Sequence, residues 1–203
     1  MMPNHSTDIL FQLIKSLEKA EKRHFKLYIK RSSGNEDLKI VRLFDALDKS
    51  KEYEEKALLK KLKDVTKPQL ANLKTHLYKQ ILASLRLLKS ADSLDLQLNE
   101  QFDYAHILYK KGLFIQSLRI IERAKEIAKA NQKINILPQF IALEKRIESL
   151  HITRSMLDKA EKLAIETKEV IHHIESVSRL SNLALKLYSW YVEHGHARNE
   201  EDE

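Results

Sequence analysis

The sequence predicts an all-α chain, and three observations carry that expectation. The 203 residues include only three glycines and three prolines, where ordinary usage of about 7% and 5% would supply several times more. These breakers stand at the edges of patterned stretches: Gly34, Gly112 and Gly195 follow them, and Pro3, Pro68 and Pro138 sit near their starts. Apolar residues recur every three or four positions, and no segment sustains the period of two that a half-buried strand needs.

The first helix is expected from a cap at Ser6 or Thr7 to about Lys15, with Leu10, Leu13, Ile14 and Leu17 as its apolar stripe. Ser16 suits a cap or a kink, after which Ala20, His24, Leu27 and Tyr28 continue the pattern as far as Ser32-Ser33-Gly34-Asn35. A helix from about Asp37 to Lys49 turns Ile40, Val41, Phe44 and Leu47 inward, and a shorter one covers Glu52 to Lys63 with Leu58, Leu59 and Leu62. Thr66-Lys67-Pro68 starts a long helix to about Lys89, because proline fits the first helical turn. Its stripe is Leu70, Leu73, Leu77, Ile81, Leu85 and Leu88. Ser90-Ala91-Asp92-Ser93 reads as a joint between subdomains. Beyond it, helices are expected at about 94–111, 113–130, 135–151, 155–177 and 179–194, with connections short enough for antiparallel neighbours.

Composition bounds what such a chain can be. It is 43% hydrophobic and 32% charged, enough apolar material for a core and more than a disordered chain carries. No cysteine is present, which excludes disulfides and thiolate metal sites and fits a cytoplasmic setting. The polar N-terminus lacks the regions of a signal peptide. No apolar run nears the roughly 20 residues of a membrane span, so a soluble protein without a membrane partner is expected. The net charge of +7 is uneven: residues 1–90 hold 20 Lys and Arg against 11 Asp and Glu, and residues 91–203 hold 16 against 18. That asymmetry suggests an anionic partner for the first half, or a solubility feature. The expected domains are a basic N-terminal helical bundle (1–90), a run of helical hairpins (91–195) and an acidic tail (196–203), either disordered or a point of truncation.

Residues 101–128 fit the frame A-x-x-L-Y-x-x-G-x-F-x-x-S-x-x-x-I-x-x-A, with Ala105, Leu108, Tyr109, Gly112, Phe114, Ile121 and Ala124 at its named positions. This resembles one tetratricopeptide (TPR) repeat. The resemblance implies a helical hairpin with Gly112 in the turn and Phe114 and Ala124 filling the interhelical seam. It also implies a TPR-like α-solenoid of stacked hairpins after the basic bundle. Ser117 stands where that family usually has alanine, and Lys129-Ala130-Asn131 replaces the usual proline. The next helix pair exceeds the 34-residue period. The segment Ser16–Leu27 also resembles the opening of uncharacterised helical proteins from Bacteroidota, which implies no function.

Four features carry candidate chemistry. Lys15, Lys19, Lys22, Lys26 and Lys30, with Arg23 beside them, share one face of a continuous helix. Phosphate or an acidic protein asks only for such fixed positive charge, and a solvated outer face has the same appearance. Leu58, Leu59 and Leu62 against Leu70, Leu73 and Leu77 outline a helix–turn–helix, with Lys67, Lys74 and Lys79 available to DNA. Glu-x-x-His occurs at Glu21/His24, Glu148/His151, Glu169/His172 and Glu193/His196, the spacing of helical di-metal sites. Val170, Ile171 and Ile174 facing a core would turn Glu169 and His172 to solvent, so no shared metal site is expected. His172-His173 reads as a polar helix face. Trp190, Tyr188 and Tyr191 form either a packing cluster or an exposed recognition patch. The last helix carries Leu183, Leu185, Leu187, Trp190 and Val192 on more than one face, without the polar outer face of a capping helix. They pack back on the preceding pair or meet another copy or partner.

With no glycine-rich phosphate loop, no Gly-x-Ser-x-Gly elbow and no cysteine nucleophile, no catalytic residue, cofactor or metal is expected. The expectation is a non-enzymatic module binding a protein or peptide, with a homo-oligomer through the last helix left open. The alternative is a nucleic-acid-binding regulator using residues 1–90.

Overall fold

The computed structural model describes residues 8–31, 35–62, 64–151 and 157–195, and they are helices joined by turns, without a strand among them. Two compact units divide the chain, Met1–Leu94 and Asp95–Glu203.

In the first unit, α1 (Ile9–Ser16) starts at Asp8, whose carboxylate accepts from the Phe11 N–H at 3.1 Å. The cap is therefore one residue beyond the expected Ser6 or Thr7, which lie outside the described residues. Leu17 and Glu18 are extended and separate α1 from α2 (Lys19–Lys30). The break forms because Glu18 begins a new helix: its N–H donates to Glu21 Oε2 at 2.9 Å, as in a capping box. This restart changes the buried face. Phe25 and Ile29 enter the core, while Ala20 and Leu27 are exposed and His24 and Tyr28 are half-buried. The expected stripe was thus rotated by about one position, because it was carried across a break.

Helix α3 (Asn35–Lys49) is the centre of this unit and touches α1, α2, α4 (Glu55–Lys61) and α5 (Lys67–Lys89). Ile40, Leu43, Phe44 and Leu47 are fully buried on it, and Val41 is half-buried. The Phe25 and Phe44 rings meet with centroids 4.7 Å apart. Helix α4 is shorter at both ends than its apolar pattern suggested. Helix α5 begins as expected, with the Thr66 N–H donating to Gln69 Oε1 at 2.9 Å and Pro68 in the first turn. Leu70, Leu77 and Ile81 are its buried residues, with Leu73 and Leu85 packed beside them.

The second unit contains α6 (Leu94–Lys110), α7 (Phe114–Ala130), a short 3₁₀ turn (Ile134–Ile136), α8 (Leu137–His151) and α9 (Leu157–His194). Helix α6 ends on Gly112 at φ 76°. The Gly112 N–H bonds Tyr109 O and the Leu113 N–H bonds Leu108 O, both at 3.0 Å, which is a Schellman motif. Helix α7 ends the same way without glycine: Gln132 takes φ 56°, its N–H bonds Lys129 O at 3.1 Å, and the Lys133 N–H bonds Ala128 O at 2.8 Å. Ser117, buried in the α6–α7 hairpin, donates to Ala105 O at 2.7 Å. Phe102 and Phe140 meet edge to face at 5.4 Å.

The expected pair at 155–177 and 179–194 is a single helix, α9, of 38 residues. No glycine or proline lies between its ends, and a serine at 178 alone does not interrupt a helix flanked by Val177 and Leu180. Helix α9 ends at Gly195, φ 76°, whose N–H bonds Tyr191 O at 2.8 Å.

Gln132 holds a left-handed conformation that glycine adopts without steric penalty, so Gln132→Gly should raise stability by about 0.5–1 kcal/mol. No atom lies within 4 Å of a Cβ built on Gly112, so Gly112→Ala should cost about 1–2 kcal/mol through backbone strain alone. Urea denaturation followed by circular dichroism measures both; opposite signs are the expected outcome.

Candidate interaction surfaces

The basic row does not stay together. The break at Leu17 detaches Lys15, whose ammonium donates to Asp48 O at 2.6 Å and lies 5.2 Å from the Phe11 ring. Lys22 pairs with Asp48 at 2.7 Å and Lys26 with Asp45 at 2.6 Å, so two carboxylates of α3 draw these lysines onto the helix. Lys26 also stands 5.7 Å from the Phe44 ring. Lys19, Arg23 and Lys30 are exposed and have no carboxylate partner among the described residues. A shallow groove of about 410 Å³ runs between the two rows. Asp45 and Asp48, three apart on α3, were the sequence signal for this neutralisation.

The helix–turn–helix reading is corrected at Lys74. Its ammonium is tied to Asp8 and to Tyr53 Oη, the latter at 2.9 Å, and it lies 4.7 Å from the Tyr53 ring. Burial depresses its pKa, but these partners outweigh burial and hold it above the ordinary lysine value. Lys74 is thus a clamp between α5 and the chain before α1. Lys67 pairs with Glu55 at 3.2 Å on the surface, and Lys79 is exposed.

The Glu-x-x-His pairs serve local structure or solvent. Glu21 accepts from the Glu18 N–H, which holds its carboxyl below the usual range despite burial, and Lys89 adds an ion pair at 3.2 Å. His24 Nδ1 lies 2.9 Å from Ser84 Oγ. Glu148 lies 3.7 Å from Lys159. Glu169, His172 and His173 are exposed, and His196 lies outside the described residues.

The residues of the hairpin frame take up two roles. Ala105, Ile121 and Ala124 are buried, with Leu108, Tyr109 and Phe114 half-buried at the turn end. The Tyr109 and Phe114 rings lie 5.9 Å apart across Gly112.

A buried ionic network in the second unit was not foreseen from the residue pattern. Lys125 on α7 is 8% exposed and Glu144 on α8 is 1% exposed. The Lys125 ammonium contacts Glu144 Oε2 and Glu166 Oε2 of α9, each at 2.6 Å. Lys129 holds the other Glu166 oxygen at 2.6 Å. Lys159 of α9 reaches Glu144 at 2.9 Å and Glu122 of α7 at 3.3 Å. Burial raises the Glu166 carboxyl, but Lys125 and Lys129 outweigh it and hold it below its ordinary 4.5. Burial lowers Lys159, but Glu144 and Glu122 outweigh it and hold it above its ordinary 10.5. Opposite charges alternate through the cluster, so each of its buried charges has an opposite neighbour.

The remaining surface is apolar. Leu163 and Val170 bury the first half of α9, but every residue from Glu175 to Glu193 is exposed. Between Leu183 and Val192 only Lys186 and Ser189 are polar. Leu180, Leu185, Tyr188 and Val192 are each 65–67% exposed, and Trp190 and Tyr191 are 47% and 43% exposed. Tyr188, Trp190 and Tyr191 thus each present aromatic surface outward. No described helix is long and apolar enough to cross a membrane. Comparison with protein-family models, curated proteins and solved structures finds no match.

Lys125→Met should cost about 3 kcal/mol, because the buried Glu144 then keeps only Lys159 and Glu166 only Lys129. Lys125→Met/Glu144→Leu should recover most of that loss, as replacing both partners of a buried pair is often neutral. Guanidinium denaturation of the three proteins measures the difference; a double variant as unstable as the single one would sink the account. The depressed Glu166 contributes stability that is present above pH 4.5 and lost as pH falls through its folded value. The raised Lys159 contributes stability that is present below pH 10.5 and lost as pH rises through its folded value. A pH series of midpoints should therefore fall at both ends, and Glu166→Gln should flatten the acid limb.

Proposed function

We propose that the chain is a non-enzymatic, cytoplasmic protein-interaction module built on TPR-like helical hairpins, with the C-terminal half of α9 as its binding surface. One observation carries this reading: a helix apolar on nearly every side between Leu183 and Val192 is exposed along its whole second half. Helices apolar all round are normally buried, and contiguous apolar surface beyond a few hundred Å² marks an interaction site. The aromatic residues there are the types that anchor protein interfaces. The TPR-like part of the proposal is supported by the α6–α7 hairpin, where Gly112 turns the chain and Ala105, Ile121 and Ala124 are buried.

The second reading, a nucleic-acid-binding regulator, is favoured by Lys19, Arg23 and Lys30, exposed cations beside a groove on the net-positive half. Binding through them is electrostatic and steep in salt.

Affinity capture with the full chain and with Leu183→Glu/Leu187→Glu tests the first reading. Proteins retained by the parent and lost by the variant are expected; identical sets from both would sink it. Anisotropy with labelled duplex and single-stranded DNA and RNA tests the second. For a few phosphate contacts, affinity should fall at least about tenfold between 50 and 200 mM salt and vanish in Lys19→Glu/Arg23→Glu/Lys30→Glu.

A further inference from the structure

We infer that the exposed half of α9 pairs antiparallel with the same segment of a second copy of this chain. The inference rests on the protein-binding reading of α9 and names its partner. The exposed segment from residue 171 to residue 193 is about 35 Å long at 1.5 Å per residue. Ten of its side chains are large, apolar and exposed. Roughly half-exposed, such side chains offer on the order of 1,000 Å² of apolar area together. These side chains lie on more than one side of the helix, so one more copy of it covers the face described below, an interface toward the small end of the standard range.

The spacing of the residues fixes the direction. Leu180, Leu183, Leu187 and Trp190 recur at intervals of three, four and three, the seam that lets two helices interlock. All four are between 47% and 67% exposed. An antiparallel pairing sets Leu180 opposite Trp190 of the second copy and Leu183 opposite its Leu187, so large residues meet along the whole seam. Arg179, Lys186 and Glu193 are spaced by seven and share one flank of it. In this register Arg179 faces Glu193 of the second copy twice, once at each end. The two Lys186 side chains meet near the two-fold axis, where their length lets the ammonium groups remain in water. A parallel pairing puts the two copies of this flank on opposite sides of the seam, so Arg179 and Glu193 do not meet and the complementarity is lost. Among the described residues Arg179 pairs with Glu175 of its own helix, at 3.8 Å on the surface, and that weak pair leaves it able to change partner.

Sedimentation equilibrium of the full chain tests the pairing. A concentration-dependent dimer is expected, and Leu183→Glu/Leu187→Glu should weaken it at least about hundredfold with an unchanged circular dichroism spectrum, since both residues are exposed. Arg179→Glu should weaken the dimer about threefold, and Arg179→Glu/Glu193→Arg should restore it. Failure of the swap to restore it overturns the antiparallel register. A monomer at all accessible concentrations, or a dimer indifferent to Leu183→Glu/Leu187→Glu, overturns the self-pairing. If the parent is monomeric yet still captures proteins through Leu183 and Leu187, self-pairing alone fails. If capture is also lost, the protein-binding reading fails with it.

Discussion

Lys125 stands where three helices converge, and its ammonium has to be neutralised where it stands. Glu144 from α8 and Glu166 from α9 both reach it at 2.6 Å. A charge removed from water loses several kcal/mol of solvation, and only close opposite charges return it. The ion therefore acts as a geometric specification: α7, α8 and α9 must lie in the one arrangement that brings both carboxylates within reach. Apolar neighbours such as Ala128, Ile147 and Leu163 would accept several packings, whereas this cluster accepts few. Its second cation, Lys159, ties α9 to α8 and α7 again beside the start of α9. The first half of α9 is held by this cluster and by Leu163 and Val170, whereas the residues from Glu175 to Glu193 are exposed.

The first unit solves a different problem, a surplus of positive charge on short helices. Its apolar residues converge on α3, which touches every other helix of the unit. The same helix carries Asp45 and Asp48 at its edge, and these draw in Lys26, Lys22 and the backbone-bound Lys15. Pairs this exposed contribute little stability one by one. Their effect is on the surface: one row of cations is partly neutralised and held, while Lys19, Arg23 and Lys30 keep their charge toward solvent. A single basic face thus becomes two rows of different electrostatic strength on either side of one groove.

What the sequence made legible was local. Pro68 announced α5 because proline and the first helical turn share a φ value, and Gly112 announced the α6–α7 turn because only glycine enters that region freely. Gln132 adopts nearly the same conformation and gave no sign of it, since its side chain does not mark a left-handed turn. The division between 155–177 and 179–194 had no breaker behind it: a polar residue such as Ser178 at a helical position is only a surface position unless glycine or proline accompanies it. The inward face of α2 was displaced because one periodicity was extended through Leu17 and Glu18. Lys74 was read as available to DNA and Lys125 was not singled out, because nothing near them in sequence reveals Asp8, Glu144 or Glu166. Their partners lie 66, 19 and 41 positions away. Burial of charge is a property of the fold, and a linear pattern holds no record of it.

The chain has a single tryptophan, Trp190, and it lies on the exposed half of α9. Indole emission is governed by its immediate surroundings, so the fluorescence of this protein reports on that stretch of helix. The first unit has tyrosines but no tryptophan, so the red-edge-excited signal comes from α9, and any body that covers this stretch shifts it to the blue. The placement of one residue makes the protein's own light a gauge of occupancy rather than of folding.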